Sequence, residues 1–185
     1  MIPEPNIRRL RLPKPPARID LVPIGPLDDG GLDPLAAELA SRFGVPVLRG
    51  QPLALRSEWC DASRGQLQAD AILDALIARR SDDEWLLGVV DGDLFIPGLN
   101  FIFGQATVGG CCAVIGLARL RETFYGRPEP DAERFRRRTL IEAVHELGHV
   151  AGLDHCPEPS CVMHFSETIE DTDRKGPDFC PRCAP

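Results

Sequence analysis

Long apolar segments are missing from this chain of 185 residues. A transmembrane helix needs about 20 consecutive apolar residues, whereas candidates such as WLLGVV at 85–90 are far shorter. Residues 1–20 contain prolines and charges where a secretory signal peptide has its apolar core. We therefore expect a soluble, cytoplasmic protein without a membrane partner.

An excess of positive charge is missing as well. The chain has 28 acidic residues against 21 Lys and Arg, and its formal net charge is −7, which argues against a nucleic-acid partner. A basic run, RFRRR at 134–138, spreads its arginines around a helix, so we interpret it as a solvated helix start. The remaining composition, with 43% hydrophobic residues, is typical of one globular domain.

Alternating strand and helix patterns predict the fold class. Asp33, followed by Pro34, predicts a helix start, and Gly44 predicts the end of that helix. Asp131 likewise predicts the start of a long helix that ends at Gly152. The resulting order favours an α/β (α+β) fold in which helices cover a mixed sheet. The predicted strands are 17–25, 45–55, 84–93, 99–106 and 111–120, and the predicted helices are 33–44, 66–80 and 131–152.

The same patterns predict the domain organisation. Residues 1–16 are a Pro-rich, basic, irregular arm, and residues 17–185 form a single domain. Within that domain, 17–152 contains the predicted sheet and helices. The C-terminal part, 153–185, is irregular and rich in Cys, Pro and Asp, so it has little apolar core of its own.

Histidine is scarce, so its placement is informative. Three of the four histidines lie in HELGHVAGLDH at 145–155. His145 and His149 are one helical turn apart, so their imidazoles project from one face at the separation that two ligands of one Zn²⁺ need. Gly152 ends the helix and allows the chain to fold back and deliver His155 as the third ligand. We predict a three-histidine zinc site with a fourth position open for water, as in catalytic sites.

Glu146 follows the first of these histidines and projects to one side of the site. It can therefore reach a metal-bound water without being a ligand, which is the place of a general base. Zinc would activate that water and polarise a carbonyl, while Glu146 would take a proton and later pass one to a leaving amine. The pattern predicts hydrolysis of a peptide or protein substrate. Glu142, one turn earlier, is interpreted as a solvated helix residue, with a supporting role at the site as the alternative.

The chain has seven cysteines, and because this number is odd, a disulfide framework within the chain cannot use all of them. Cys156 and Cys161, followed by Cys180 and Cys183, form two close pairs whose spacing suits a tetrahedral zinc site. Such a closed site would be structural and would staple the C-terminal segment. One or two disulfides are the alternative, which a reducing cytosol disfavours. We therefore predict two Zn²⁺ per chain. The cysteines left without a role are Cys60, Cys111 and Cys112.

These motifs resemble a known family. HELGHVAGLDH resembles the zinc-binding motif of the metzincin zinc peptidases, and Cys156, Cys161, Met163, Cys180 and Cys183 make the chain resemble, more narrowly, the archaemetzincins. DGDLFIPGLNFIFGQA at 91–106 resembles the stretch before the active-site helix of that family. The resemblance implies a metzincin-like mixed twisted sheet, a zinc-binding active-site helix and an irregular Cys-rich C-terminal subdomain. It assigns the same roles to the three histidines and to Glu146.

The resemblance also implies roles for residues around the site. Met163 would lie in the Met-turn, an apolar floor beneath the catalytic zinc, and an isolated core methionine would be buried too. NFIFGQ at 100–105 would be an edge strand that pairs with an extended peptide. Phe101 and Phe103 would line the cleft, unless they face the core. His164 is interpreted as a surface residue, with a role near the zinc as the alternative.

The leading hypothesis is thus a zinc metallopeptidase. The alternative is a catalytically idle zinc-binding protein that binds peptides or a protein partner, and the intact Glu146 argues against it. A nucleic-acid-binding cysteine module is a third hypothesis, which salt-sensitive retention on DNA or RNA would support. The sequence leaves endopeptidase or aminopeptidase action and the oligomeric state undecided.

Overall fold

We describe a computed structural model of the chain at residues 9–10, 12, 14–127 and 132–184. Most of the predicted arm and the predicted cap Asp131 lie outside this part of the chain. Within it, the chain forms eight strands and four α-helices. The strands are β1 (Arg18–Ile24), β2 (Val47–Arg49), β3 (Cys60–Asp61), β4 (Gln66–Gln68), β5 (Glu84–Val90), β6 (Leu94–Phe95), β7 (Gly104–Ala106) and β8 (Cys112–Gly116). The helices are α1 (Leu32–Phe43), α2 (Ala69–Arg79), α3 (Ala132–Val150) and α4 (Ile169–Arg174).

The larger sheet has five strands in the order β2-β1-β5-β8-β7. β2, β1, β5 and β8 are parallel, and β7 pairs antiparallel with β8 at one edge. All residues of the central strand β5, EWLLGVV, are buried, as expected for a parallel strand that is covered on both faces. The predicted mixed α/β sheet is therefore confirmed.

Helices cover both faces of this sheet. α1 and α3 pack on one face, where Leu39 and Val144 share a core cluster with Leu87. α2 packs on the other face, where Leu76 shares a second cluster with Leu86. Successive side chains of a strand point to opposite faces, so Leu86 and Leu87 of β5 belong to different layers. α3, which carries the histidine motif, contacts β8 and the edge strand β7.

A second sheet, in the order β3-β4-β6, was not predicted. It shortens the helix predicted at 66–80, because Gln66–Gln68 forms β4 and α2 begins at Ala69. The Leu67 N–H donates to the Asp93 carbonyl (2.8 Å), so long-range pairing overrides the local helical pattern. The strand predicted at 99–106 is also shorter, since its regular part is β7, but its place at a sheet edge is confirmed.

Glycines end two helices as predicted. Gly44 follows α1 with φ of 69°, and Gly152 follows α3 with φ of 89°. Both values lie in the left-handed region that residues with a Cβ disfavour. The predicted cap Asp33 is wrong by two positions, because α1 begins at Leu32 after Gly31 and places Asp33 in the first turn.

Two charged residues of α3 that were predicted to be solvated are buried. Arg138 is 1% exposed, and its guanidinium bonds both carboxylate oxygens of Asp173 (2.7 and 2.6 Å) and an oxygen of Glu122 (2.6 Å). Glu142 is 2% exposed and accepts a bond from Thr172 of α4. These predictions are wrong because α4, which is distant in sequence, packs over this face of α3.

The segment after α3 is more regular than predicted. α4 begins after Thr168, which forms a capping box with Asp171. Met163 and Phe179 are buried in the same core cluster as the apolar face of α3. This segment therefore packs on the sheet layer, and a subdomain boundary at 152 stays a prediction. In the part of the chain described above, no helix is both long and apolar enough to cross a bilayer.

Candidate active site

The histidines of HELGHVAGLDH meet at the C-terminal end of α3. His145 and His149 lie one turn apart, with 3.2 Å between their Nε2 atoms. The helix ends at Val150, and Gly152 turns the chain back towards it. His155 thereby joins the pair, with its ring centroid 5.4 Å from that of His145 and 4.9 Å from that of His149.

The donor set of these histidines fits zinc. One ring nitrogen from each lies within 4.8 Å of the other two. Nitrogens bound tetrahedrally at about 2.0–2.1 Å from zinc would be about 3.3 Å apart, close to the 3.2 Å between His145 and His149. Three imidazoles are also the ligand set of catalytic zinc sites that keep a fourth position open. The predicted histidines are therefore brought together in a form that can hold the ion.

Backbone carbonyls orient two of these rings. The Nδ1 of His145 bonds the Val162 carbonyl (2.8 Å), and the Nδ1 of His149 bonds the Leu153 carbonyl (2.7 Å). Because a carbonyl can only accept, each Nδ1 carries the proton and each Nε2 keeps its lone pair for a metal. Burial, together with the nearby Lys175 ammonium, lowers the pKa of His145 well below its usual value. The ring therefore stays in the neutral form that a metal requires.

Glu146 is buried beside β7, with 5% of its surface exposed. A Cβ on Gly104 would lie 2.7 Å from both Cγ and Oε1 of Glu146, so the missing side chain provides the space for the carboxylate. Burial and the Glu142 carboxylate raise the pKa of Glu146 well above its usual value, and Lys175 only partly opposes them. Glu146 therefore takes up a proton more readily than a solvated glutamate.

A cavity of about 500 Å³ opens on the histidines and Glu146. The stretch 99–106, which includes β7, forms one wall, and 165–167 forms another. Phe101 and Phe103 both line the cavity, with 5.4 Å between their ring centroids. Phe103 is only 5% exposed and also belongs to the core. A substrate-binding role for the two rings stays a prediction, but both lie where it requires them.

The four C-terminal cysteines form a second cluster. Sulfur–sulfur distances are 3.8 Å for Cys156–Cys180 and 3.8 Å for Cys161–Cys183, and all four sulfurs lie within 4.8 Å of one another. Disulfide sulfurs are about 2.05 Å apart, whereas tetrahedral ligands about 2.3 Å from zinc are about 3.8 Å apart. The spacing of the thiols thus fits a metal site and does not fit the alternative of disulfides.

Backbone N–H groups stabilise thiolate charge in this cluster. The Cys180 N–H donates to the Cys161 sulfur (3.4 Å). Burial raises the pKa of Cys180, but bonds from the N–H groups of Cys183 and Arg182 and bonds with the neighbouring cysteine sulfurs more than offset it, and the pKa is about 7. Burial instead raises the pKa of Cys161 and of Cys183. Since the thiolate is the form that binds a metal, Cys180 is the cysteine of this cluster whose lowered pKa favours that form in the absence of an ion.

Met163 lies directly beneath the histidine-bearing turn of α3. It is 0% exposed, and a Cβ on Gly148 would overlap its sulfur and lie 3.3 Å from the Phe179 ring. The helix and the Met163 segment can therefore approach this closely because residue 148 has no side chain. This position agrees with the apolar floor implied by the metzincin resemblance, while the role itself stays a prediction.

Comparison with known proteins identifies the family. A model of "Peptidase family M54" matches residues 40–185. The chain belongs to peptidase family M54. It is 44% identical to a protein named archaemetzincin from Pyrococcus furiosus, over 89% of each chain. The crystal structure of archaemetzincin from Methanopyrus kandleri matches with a TM-score of 0.80 at 34% identity, covering 98% of this chain and 94% of that one. The crystal structure of archaemetzincin from Archaeoglobus fulgidus, complexed with malonate, matches with a TM-score of 0.78 at 35% identity. This match covers 90% of this chain and 98% of that one.

Membership in M54 confirms the predicted archaemetzincin resemblance and the metzincin-like fold. The chain is a zinc metallopeptidase of this family, and its substrates are peptides or proteins. The individual ligands, the general base and the number of zinc ions remain predictions that rest on the geometry described above.

A buried lysine beside the site of this M54 peptidase was missed. Lys175 is 0% exposed, with its Nζ 3.5 Å from a Glu142 oxygen, 3.1 Å from the His164 carbonyl and 3.4 Å from Nδ1 of His145. No local pattern in DRKGPD marks Lys175, because its position depends on how α4 packs on α3. His164 is half-buried, and its Nδ1 bonds the Cys156 carbonyl (3.0 Å), so it is neither a free surface residue nor part of the three-histidine group.

Proposed function

We propose that this M54 peptidase holds a catalytic Zn²⁺ through His145, His149 and His155 and cleaves peptide bonds with Glu146 as general base. The supporting observation is the convergence of three imidazole nitrogens within 4.8 Å at a cavity that Glu146 also lines. Zinc in such a site acts as a Lewis acid towards a carbonyl and lowers the pKa of water to about 7. The chain itself supplies the proton transfers and the substrate position.

Glu146 carries out both proton transfers in this proposal. Its carboxylate takes a proton from the attacking water, the role of a general base that lines the site without being a ligand. The same carboxyl group then protonates the leaving amine. Its burial beside Gly104 keeps it in one position through both steps.

The edge strand β7 positions the substrate. β7 is the last strand of its sheet and lines the cavity, so an extended peptide can pair with its free edge. Phe101 and Phe103 extend this wall with apolar surface. Such main-chain pairing holds the scissile bond next to the histidines with little dependence on side-chain identity.

A Glu146→Ala variant tests the general base. It is expected to retain zinc, since the histidines are intact, and to lose turnover of a fluorogenic peptide library that includes free and acetylated N-termini. Glu133→Ala, in the first turn of the same helix, is the control and should keep activity. Undiminished turnover by Glu146→Ala would contradict the assignment. A parent that binds zinc and cleaves no peptide would instead support an idle zinc-binding protein.

We further propose that Cys156, Cys161, Cys180 and Cys183 hold a second, structural zinc. A cytoplasmic location, which the sequence predicts, keeps such thiols reduced. Elemental analysis of protein purified under reducing conditions should give about two zinc ions per chain, and about one in Cys180→Ser. A parent with one zinc that Cys180→Ser leaves unchanged would rule out the cysteine site.

A further inference from the structure

The two clusters of this chain share one segment, residues 155–164. His155 is followed directly by Cys156. Val162, whose carbonyl bonds Nδ1 of His145 at 2.8 Å, follows Cys161 directly. His145, through the Val162 carbonyl, and His155, through its peptide bond to Cys156, are therefore each linked to the cysteine cluster.

Two backbone hydrogen bonds connect Val162 and the next residue, Met163, to residues at or near cysteines of the cluster. The Val162 N–H donates to the Asp178 carbonyl (3.0 Å), two residues before Cys180. The Cys156 N–H donates to the Met163 carbonyl (2.9 Å), one residue after Val162. One bonded partner is thus a cysteine of the cluster and the other lies two residues before one, while residues 155–164 contain no helix or strand and are otherwise held by the packing of Val162 and Met163 in the core.

His149 differs from the other two histidines in this respect. Its Nδ1 bonds the Leu153 carbonyl (2.7 Å), which belongs to the turn that ends α3. His149 shares α3, which packs against β7 and β8, with His145, so the difference between them lies in the carbonyl that each Nδ1 bonds. The orientation of His149 therefore depends on the sheet layer and the helix end rather than on the cysteines.

From this geometry we propose that occupancy of the cysteine cluster controls the zinc affinity of the histidine site. A cation held by the four sulfurs fixes the Val162 carbonyl and the start of the segment at His155, so His145 and His155 are pre-oriented. Without it, zinc binding at the histidines must also order this segment. Loss of a partner that orients a metal-bound histidine typically weakens metal affinity about 10–100-fold. The inference rests on the proposed function, since it assumes that the histidines bind zinc.

Cobalt titration of the zinc-free, reduced full-length chain tests this coupling. Thiolate-bound Co²⁺ has charge-transfer absorption in the near ultraviolet, whereas histidine-bound Co²⁺ shows weaker visible bands, so the two sites are followed separately. In Cys180→Ser/Cys183→Ser, the histidine site should bind Co²⁺ about 10–100-fold more weakly than in the parent. Cys60→Ser removes an exposed thiol outside the cluster and should change neither site.

The outcomes separate the two proposals. Equal histidine-site affinity in the parent and the double variant overturns the coupling and leaves the proposed function intact. Absence of histidine-type cobalt bands in the parent overturns the proposed function itself. Circular dichroism of the zinc-free proteins establishes whether the double variant keeps the parent fold.

If Cys180→Ser/Cys183→Ser does not fold, the coupling is tested by the reciprocal measurement. Coupling between two sites must act equally in both directions, so filling the histidine site should tighten the cysteine site. In His149→Ala, which leaves the shared segment unaltered, a chelator should remove thiolate-bound Co²⁺ more easily than from the fully loaded parent, by the same 10–100-fold. Equal resistance to the chelator in both proteins would refute the inference.

Discussion

Gly104 acts at the scale of a single residue, because its missing side chain decides where Glu146 can lie. Nothing in the local sequence indicates this, since glycine in a short strand usually signals a bend or a close approach of unspecified kind. In the structure, the neighbour is the carboxylate proposed as the base, 2.7 Å from where a Cβ would be. A methyl group at 104 must therefore displace Glu146 or the strand.

A Gly104→Ala variant should lose most of its turnover and keep its zinc. A displacement of about 1 Å at a catalytic group can cost about 100-fold in rate, so we expect a fall in kcat of this order while the histidine ligands stay in place. Peptide turnover and zinc content are measured side by side. Gly31→Ala is the matched control, because a Cβ there would meet no atom within 4 Å and its φ is not in the left-handed region. Full activity in Gly104→Ala would show that Glu146 adapts.

At the scale of elements, α3 and α4 are joined by a buried ion pair. Lys175, directly after α4, lies 3.5 Å from Glu142 of α3, and both side chains are at most 3% exposed. Thr172 donates to the same Glu142 oxygen (3.0 Å). Removing one charge leaves the other buried without compensation, while removing both does not. The two charges thus compensate each other where the C-terminal segment packs on the active-site helix.

Lys175→Met should destabilise the protein by about 3–5 kcal/mol. Lys175→Met/Glu142→Gln should recover most of that loss, because neither charge of the pair remains. Urea unfolding of the zinc-free proteins gives the free energies of unfolding. Arg56→Met is the control, since Arg56 and Glu58 form an exposed pair at 3.9 Å that contributes about 0–1 kcal/mol. A double variant that is no more stable than Lys175→Met would contradict the ion-pair explanation.

The sequence pattern predicted those helices and strands whose conformation follows from their own residues. β5 is a continuous apolar run, and α3 has an apolar stripe that ends at a glycine, so both were predicted. β4 was not, because Gln66–Gln68 continues a helical pattern and becomes a strand through pairing with β3 and β6. α4 was missed because its six residues, IEDTDR, carry almost no apolar signal.

At the scale of the whole molecule, the residues of the candidate site also fall into two groups, those that local sequence predicted and those whose position depends on tertiary structure. The two clusters of histidines and cysteines were predicted because candidate ligands of one metal fall close together in the chain, and short spacing constrains where they can meet. Gly104 and Lys175 were not assigned and Glu142 was predicted to be solvated, because the positions of these residues depend on a sheet edge and on the packing of α4. Ligand chemistry is therefore encoded locally, whereas the residues that support the ligands depend on tertiary structure.

Thiol reactivity across the whole chain follows from this arrangement. In the zinc-loaded protein, Cys60 is exposed and should react quickly with a thiol reagent. Cys112 should not, because burial and the adjacent Cys111 raise its pKa to about 12, which keeps it protonated.

The four cluster cysteines are protected while a metal holds their sulfurs. A chelator should therefore increase the number of reactive thiols, beginning with Cys180, whose pKa is about 7. Cys60→Ser should abolish the fast phase and leave the chelator-dependent increase unchanged. If the cluster thiols reacted equally fast before chelation, no metal would be protecting them, and the irregular C-terminal segment would have to be held by its packing alone.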